Sequence, residues 1–372
     1  MKLIATIGAN TLTRKHNYTI GDKEYQEYVS FLALAKAFDI DDIVLIGTNE
    51  SKNSVDELLQ ENKNIKMVVI ESDDVKTVFQ ESLNHISKDT ILDLTQGFRH
   101  YPMLTLLASV FLQNVPQKNI KDIFYAQILD NNCKPYESSC DYEFVSLIHY
   151  LDIANMAKII NTFQNTLIVA DYEVLDEKFK SIVKDLEKLS KAMFSNNFED
   201  AKSYASKAKE TLNQIITERK LPYMDKHLED LKKELKLIQN LTRYKESQTL
   251  LNVSEYFLKK DIFLHSITVL YEAMVAFLDE KISDKECETY KRKSDGKTVK
   301  ANTYKRRNCL KLKLRCKSAT NIINCKEFSR ILRKVDELRN ISAHAFTSDT
   351  HSKDIEEEIK KYIKELRPIL SS

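Results

Sequence analysis

Arg339, Asn340 and His344 place three polar side chains that could act on a phosphodiester in the stretch LRNISAHAF. Histidine titrates near neutral pH and can move a proton during catalysis. Arginine stays charged and can hold two phosphate oxygens at once. Because RNA carries its own nucleophile, the 2′-hydroxyl, this set could cleave RNA and leave a 2′,3′-cyclic phosphate and a 5′-hydroxyl. The simpler alternative is a helix whose arginine and histidine are ordinary surface residues.

The spacing within this stretch limits how the residues could act together. In an ideal helix, positions five apart differ by about 140° in direction, whereas positions four apart share a face. Arg339 and His344 would then face different ways, although Asn340 and His344 would not. Either the helix breaks within NISAH, or the working site combines residues of two chains across a symmetric interface.

Two polar loops in the first hundred residues, GANTLTRKHNY and LTQGFRHYP, each follow a short apolar run. Glycine lets a ligand approach the backbone, and exposed amides at a helix N-terminus favour a phosphate. Neither loop contains GxGxxG or GxxxxGK[ST], which disfavours a dinucleotide or a nucleoside triphosphate bound in the usual way. Taken singly, each loop could also be a plain turn with surface charge. The candidate residues are Gly8, Asn10 and Thr11 in the first loop, and Thr95, Gln96, Gly97, Arg99 and His100 in the second.

The segments around these loops alternate between apolar runs rich in Ile and Val and stretches with helical spacing. This βαβ pattern predicts an α/β domain with a parallel sheet covered by helices on both faces. Ligands of such sheets bind beyond the carboxyl ends of the strands, which is where both loops lie. The predicted strands are 2–8, 42–48, 66–72, 90–97 and 120–129, and the predicted helices between them are 25–38, 54–62, 74–86 and 101–114.

After about residue 147 the chain is almost continuously helical in its periodicity, which predicts an all-α bundle. Gly and Pro, at five each, are too scarce for many tight turns. Residues 291–317 carry twelve Lys or Arg against one acid, and a solvated loop and a nucleic-acid contact explain this run about as well. His265 and Glu272 share a helical face and could lie near a site, although packing between helices is the more ordinary role.

Composition narrows the class of protein further. The net charge of +2 does not mark the whole chain as a polyanion binder. The six cysteines form no CxxC pair, so we expect free thiols in a reducing cytoplasm rather than a zinc site. MKLIATIGAN is typical of a strand rather than a signal peptide. No stretch approaches the ~18 apolar residues that a membrane span requires.

Two motifs together resemble a known family. Residues 92–104, LDLTQGFRHYPML, resemble the strand-turn-helix signature of CARF domains, the Rossmann-like sensors of CRISPR systems. Residues 337–346, ELRNISAHAF, fit the R-x4-H signature of HEPN ribonucleases, including the polar residue after the arginine. This order is the layout of the CARF–HEPN ribonucleases of type III CRISPR systems, although residues 150–250 match only in helical character. The implied domains are a CARF sensor at 1–150, a helical connector at 151–250 and a HEPN domain at 251–372.

The resemblance implies a cytoplasmic, homodimeric nuclease of antiviral defence. A cyclic oligoadenylate, most often cyclic tetra-adenylate and sometimes cyclic hexa-adenylate, would bind a two-fold symmetric CARF pocket and activate metal-independent cleavage of single-stranded RNA. No metal or other cofactor is implied, and slow cleavage of the activator in the CARF domain stays open. By motif position, the ligand residues are Gly8, Asn10, Thr11, Thr95, Gln96, Gly97, Arg99 and His100, and the catalytic residues are Arg339, Asn340 and His344.

Other functions fit the sequence less well. A non-catalytic CARF sensor with a degenerate HEPN domain is the main alternative, and the intact Arg339-Asn340 and His344 set argues against it. A DNA-cutting CARF effector would need an acidic metal site with a lysine on strands, which the second half of the sequence does not suggest. A transcription regulator would require a short helix-turn-helix, whereas the C-terminal helices are long.

Overall fold

The computed structural model describes residues 1–9, 14–71, 75–112, 120–172, 174–218, 224–281, 289–291, 298–300, 325–343 and 352–371. The chain divides into two compact units, residues 1–158 with 171–179 and residues 159–170 with 180–372. The first unit is α/β, and the second is helical in its described part apart from one short hairpin. The predicted fold class, α/β followed by all-α, is confirmed. The finer limits of 1–150, 151–250 and 251–372 stay predictions.

An eight-stranded sheet organises the described part of the first unit. Its strands are β1 (Lys2–Thr6), β2 (His16–Ile20), β3 (Lys23–Glu27), β4 (Asp42–Gly47), β5 (Ile65–Val69), β6 (Thr90–Asp93), β7 (Ile120–Ile128) and β8 (Asp141–Ser146). Their order across the sheet is β3-β2-β8-β7-β6-β1-β4-β5. The five strands from β7 to β5 in that order are parallel. β8 is antiparallel to β7 and parallel to β2, which forms an antiparallel hairpin with β3.

The five predicted strands are all present, because strands buried on both faces form apolar runs that are easy to recognise. The predicted parallel sheet is present in β7, β6, β1, β4 and β5, and β2, β3 and β8 add a mixed edge that was not predicted. HNYTI and KEYQE are polar enough to resemble loop and helix. Three side chains of β3 are exposed to solvent, and three of β2 are half-buried. The helix predicted at 25–38 therefore begins only at Ser30, after β3.

Helices cover both faces of the sheet and bury its two surfaces separately. Leu3 and Ala5 of β1 pack into one hydrophobic cluster, whereas Ile4 between them packs into the other. This alternation is the period-two geometry of a strand with a core on each side. The helices of this unit are α1 (Ser30–Phe38), α2 (Asn49–Ser54), α3 (Asp56–Glu61), α4 (Val75–His85) and α5 (His100–Leu112).

The second unit is built from long amphipathic helices, as its periodicity predicted. The helices are α6 (Ile148–Thr166, whose first part belongs to the first unit), α7 (Glu177–Phe194), α8 (Phe198–Thr217), α9 (Asp225–Leu241), α10 (Glu246–Leu258), α11 (Phe263–Lys281), α12 (Cys325–Ala343) and α13 (Ser352–Leu370). β9 (Thr289–Lys291) and β10 (Thr298–Lys300) form the short hairpin. α10 to α13 share one core, in which the Phe277 and Phe328 ring centroids lie 5.5 Å apart. Burial of these faces stabilises the bundle.

His265 has the more ordinary of its two expected roles. Its ring lies 5.0 Å from the ring of Phe194 and 5.7 Å from that of Phe257, between aromatic side chains of α7 and α10. Burial lowers the pKa of His265, because the charged imidazolium is poorly solvated there. His265 is therefore a packing residue between helices. Most of the basic segment 291–317 lies outside the described residues.

The expectation of free thiols is wrong for one pair of cysteines. Cys133 and Cys140 form a disulfide with their Cα atoms 5.9 Å apart, within the ordinary span of such bonds. The two residues lie in the loop between β7 and β8, whose ends are drawn together where the amide of Leu129 donates to the carbonyl of Asp141 at 2.9 Å. Cys325 is free and half-buried. None of the described helices combines the length and apolar character that a membrane-spanning segment needs.

Candidate ligand site and candidate nuclease residues

Gly8 and Gly97, which belong to the two polar loops of the first unit, lie side by side. β1 and β6 are hydrogen-bonded parallel neighbours, with Leu3 opposite Ile91 and Ile4 opposite Leu92. β4 pairs with the other edge of β1, so the strand order reverses between β1 and β6. The carboxyl ends of strands at such a reversal form the crevice in which α/β sheets bind ligands. The structure therefore brings together the loops that the sequence nominated separately.

Two glycines make this close approach feasible. A methyl group placed on Gly8 would lie 3.5 Å from the Cα of Gly97, so the two backbones are in contact. Gly97 has φ +107°, a conformation that L side chains rarely adopt, and a Cβ there would meet the Cβ and Oγ1 of Thr6 at 3.1 Å. The Thr6 hydroxyl donates to the Gln96 carbonyl, which ties the β6 turn to the end of β1.

A buried carboxylate holds the turn that follows β6 by hydrogen bonds. Asp93 ends β6 and accepts hydrogen bonds from the Ser30 hydroxyl at 2.6 Å and from the Thr95 amide at 2.9 Å. Burial raises the pKa of Asp93, and these hydrogen bonds to the carboxylate oppose the rise. The Thr95 hydroxyl accepts from the amide of Ala126 on β7 at 2.9 Å. Thr95 is thus fixed to two strands and shapes the turn.

The remaining candidates of this loop are an exposed arginine and two side chains with buried polar atoms. Arg99 is exposed just before α5 begins at His100. The His100 ring is held edge-on to Tyr101, with centroids 4.6 Å apart, and lies nearly parallel to Phe98 at 6.2 Å. His100 Nε2 and Gln96 Oε1 are buried and have no hydrogen-bond partner among the described residues. Such atoms are uncommon in native proteins and call for a ligand or water. Asn10 and Thr11 lie outside the described residues.

A polar cavity next to the β6 turn was missed from the sequence. Its volume is about 350 Å³. It lies against β7, which was predicted as a strand, and against β2 and β8, which were not. The alternating aromatic residues of HNYTI and DYEF were the available signal. We call it the tyrosine cavity; its lining includes Arg14, His16, Tyr18, Tyr28, Thr95, Gln96, Gly97, Tyr125, Pro135, Tyr136 and Tyr142.

In the helical unit, Arg339 is held in a defined position on α12. Its guanidinium lies over the ring of Tyr271, 4.2 Å from the centroid, and Tyr271 is only 3 % exposed on α11. One guanidinium nitrogen is 3.0 Å from the Asp336 carboxylate, and it also donates to Asn340 Oδ1 at 3.4 Å. A cation stacked on a buried ring and paired on its helix loses little freedom on meeting a phosphate. Tyr271 and Asp336 were not identified from the sequence.

The other two nuclease candidates differ in what the structure says of them. Asn340 is exposed, one position along from Arg339. α12 continues through Ala343, so the described part of NISAH contains no helix break. His344 lies outside the described residues. Of the two arrangements expected for this stretch, the structure gives no support to the broken helix within residues 340–343.

Comparison with known proteins adds one structural similarity. No family model matches the chain, and no curated protein matches it. Among solved structures, it is similar to Enterococcus italicus Csm6 bound to cyclic hexa-2′-fluoro-hexa-dAMP, with 14 % sequence identity and a TM-score of 0.43, over 99 % of this chain and 93 % of that chain.

Proposed function

We propose that this chain is a CRISPR-associated endoribonuclease that cuts single-stranded RNA when a cyclic oligoadenylate binds its first unit. The observation that supports it best is the crossing of Gly8 and Gly97 at the strand-order reversal, beside two buried polar atoms without partners. In the same chain, Arg339 of the R-x4-H motif is fixed on Tyr271. A sensor site and a phosphate-holding arginine thus occur in the order of the CARF–HEPN ribonucleases.

The crevice suits a ligand with phosphates. Gly8 and Gly97 leave the backbone open to close approach, the N-terminus of α5 carries a positive dipole end, and Arg99 adds a full charge. His100 Nε2 and Gln96 Oε1 supply polar atoms that a ribose or a base could satisfy. A second copy of the chain, related by two-fold symmetry, would double these groups around a cyclic ligand. Cyclic tetra-adenylate is the activator we expect, by resemblance to the family.

The cleavage chemistry follows from the two side chains. His344 would take the proton of the 2′-hydroxyl or give one to the leaving 5′-oxygen, and Arg339 would stabilise the charge that builds up on the phosphorus oxygens. Asn340 is exposed beside Arg339 and can hold the RNA backbone or a base. No metal enters this scheme. α12 is continuous to Ala343. We therefore propose that Arg339 of one chain and His344 of another meet in one cleft.

An apolar stripe on α5 supports a homodimer. Met103, Leu107 and Phe111 follow one another at helical spacing and are 66 %, 56 % and 65 % exposed. Large apolar side chains in a contiguous exposed row are typical of interaction surfaces. α5 begins at His100, so a second copy seated on this stripe would extend the interface directly from the proposed ligand crevice.

Leu107→Glu should weaken this dimer, because a carboxylate placed in an apolar contact loses its hydration. We expect the dimer dissociation constant to rise at least ~tenfold, which corresponds to ~1.4 kcal/mol. Sedimentation equilibrium or light scattering over a concentration series measures it. Leu237→Glu, at another exposed leucine that is 44 % exposed on α9, is the matched control and should leave dimerisation unchanged. Equal dissociation constants for Leu107→Glu and the unmodified chain would contradict this interface.

The proposed function is tested by incubating the protein with fluorescent single-stranded RNA and EDTA, alone and with cyclic tri-, tetra- or hexa-adenylate. We expect cleavage with one ring size and little without it, together with 2′,3′-cyclic phosphate ends. Binding of a ring without cleavage would instead favour the non-catalytic sensor. If the protein binds none of the rings and cleaves no RNA with any of them, the proposal is refuted. Following the ring itself in the same reactions shows whether the activator is degraded. As a defence nuclease, the protein would act in the cytoplasm.

A further inference from the structure

The loop between β7 and β8 carries the disulfide and forms part of a cavity wall. We call residues 129–140 the disulfide loop. Pro135 and Tyr136 of this loop line the tyrosine cavity, which Gln96 and Gly97 of the β6 turn also line. The disulfide loop and two of the candidate ligand residues therefore share one cavity. A change in the position of the loop alters the space beside the β6 turn.

The second half of the disulfide loop is anchored to β2 and to the segment before it. The Ser139 hydroxyl donates to the Lys15 carbonyl at 2.8 Å. The Cys140 amide donates to His16 Nδ1 at 3.1 Å, and the Cys140 carbonyl accepts from the Asn17 amide at 3.0 Å. These hydrogen bonds fix Cys140 to the edge of the sheet.

The disulfide joins the first half of the loop to this anchored half. Cys133 and Cys140 are 7 positions apart in sequence, and their bond closes the segment that carries Pro135 and Tyr136 into a ring. A short covalent ring restricts the backbone conformations that the same residues can sample once the bond is broken. Restricting a binding loop before the ligand arrives reduces the entropy lost on binding. The disulfide therefore holds this cavity wall in place for a ligand.

The two sulfur atoms differ in their access to solvent. Cys140 is 1 % exposed, whereas Cys133 is half-buried in a loop whose other residues are mostly exposed. A reductant in solution therefore reaches Cys133 Sγ first. The Ser138 hydroxyl lies 3.2 Å from that sulfur and can donate a hydrogen bond to a thiolate formed there. A disulfide with one accessible sulfur is open to thiol exchange, whereas a disulfide sealed in a core is not.

The redox state of this disulfide depends on the compartment in which the chain works. Disulfides are rare in the reducing cytoplasm, and those that occur there are usually redox-sensing or catalytic. We propose that the bond between Cys133 and Cys140 is a redox switch on the proposed ligand site, and that its oxidised form binds the activator more tightly. This inference rests on the proposed function. Reduction would loosen the disulfide loop, weaken activator binding and so lower RNA cleavage.

The switch is a two-electron exchange with a dithiol. A thiolate of the dithiol attacks Cys133 Sγ, the bond to Cys140 breaks, and Cys140 leaves as a thiolate that takes up a proton. The second thiol of the reductant then displaces Cys133, which leaves two cysteine thiols and an oxidised dithiol. Hydrogen peroxide reverses the change: it converts Cys133 to a sulfenic acid with release of water, and Cys140 then displaces a second water and reforms the disulfide.

The test compares the oxidised protein with the protein reduced by dithiothreitol, and alkylation followed by mass spectrometry identifies the free thiols in each form. Filter binding of radiolabelled cyclic tetra- and hexa-adenylate gives the activator Kd. We expect the Kd to rise at least about fivefold on reduction, the cost of ordering roughly two side chains on binding. It should return to its first value after reoxidation with stoichiometric hydrogen peroxide, which excludes unfolding as the cause. Amide hydrogen exchange across residues 134–139 should quicken on reduction, and it reports on the loop without the activator.

Cys133→Ser cannot form the bond, so its Kd should equal that of the reduced protein under both conditions. Cys325→Ser is the matched control, because Cys325 is a free, half-buried cysteine of α12 outside the loop, and this variant should keep the full redox response. If the oxidised protein lacks the bond, or binds a ring with the same Kd as the reduced protein, the switch is wrong and the proposed function stands. If neither form binds a ring, the proposed function itself fails, and the switch fails with it.

Discussion

His344→Ala should reduce activated RNA cleavage by ~100- to 10,000-fold while activator binding stays unchanged. This range is what positioned proton transfer typically contributes to catalysis. Arg339→Ala should lower the rate by a similar ~100- to 1,000-fold, since it removes the charge that stabilises the transition state. Initial rates on fluorescent RNA with saturating activator, and the activator Kd by calorimetry, separate loss of catalysis from loss of activation.

Arg333→Ala provides the control for Arg339→Ala. Arg333 lies on the same helix, is largely exposed and pairs with Glu337 at 3.7 Å, so its removal takes away one charge without touching Tyr271. We expect its cleavage rate to stay within about threefold of the unmodified protein, because exposed ion pairs contribute little. If His344→Ala cleaves within tenfold of the unmodified rate, the nuclease assignment of this motif is wrong.

Gly97→Ala should abolish tight activator binding. The alanine Cβ would lie 3.1 Å from Thr6 at φ +107°, so either the turn moves or the strain remains. Strain of this kind costs about 1–3 kcal/mol. A displaced turn moves Gln96 and the backbone next to Gly8, and we expect the activator Kd to rise at least ~tenfold, or ~1.4 kcal/mol. Calorimetric titration gives the Kd, and thermal unfolding gives the loss of stability.

Gly21→Ala separates backbone strain from damage to the site. Gly21 has φ +59°, and a Cβ there would meet nothing within 4 Å, because it lies in the turn between β2 and β3. The Gly21→Ala variant should have a lower Tm, but its activator Kd should stay within about twofold of the unmodified value. Equal activator affinity in Gly97→Ala and Gly21→Ala would show that the Gly8–Gly97 crossing does not form the ligand site.

The elements predicted correctly are those whose burial leaves a simple pattern. β1, β4 and β6 are buried on nearly every residue, and α7 buries Phe179, Ile182, Leu186 and Leu189 at helical spacing. β2 and β3 were not predicted, because their polar, half-buried or exposed positions form no such pattern. The disulfide was not predicted for a related reason. Only the pairing of β7 with β8 brings Cys133 and Cys140 together, and the sequence did not indicate that pairing.

The candidate sites divide in the same way. Gly8 and Gly97 could be placed at the same edge of the sheet because each follows a strand of the βαβ pattern, and the motif itself named Arg339. Tyr271 lies on a different helix, and nothing in its spacing links it to Arg339. Tyr125 and Tyr142 face the cavity only through the antiparallel β7–β8 pair. Contacts that depend on packing between distant segments leave no local periodicity in the sequence.

The ion pair between Arg339 and Asp336 means that the resting chain keeps an anion of its own where a phosphate would go. Under the proposed function, incoming RNA would have to displace this carboxylate, so the aspartate would act as an intramolecular competitor. Both side chains are close to one-third exposed, and pairs of that kind are held by only ~0.2–1 kcal/mol. The competition would therefore be mild, less than about sixfold. This ion pair would therefore slightly weaken the binding of phosphates to Arg339 when no activator is bound.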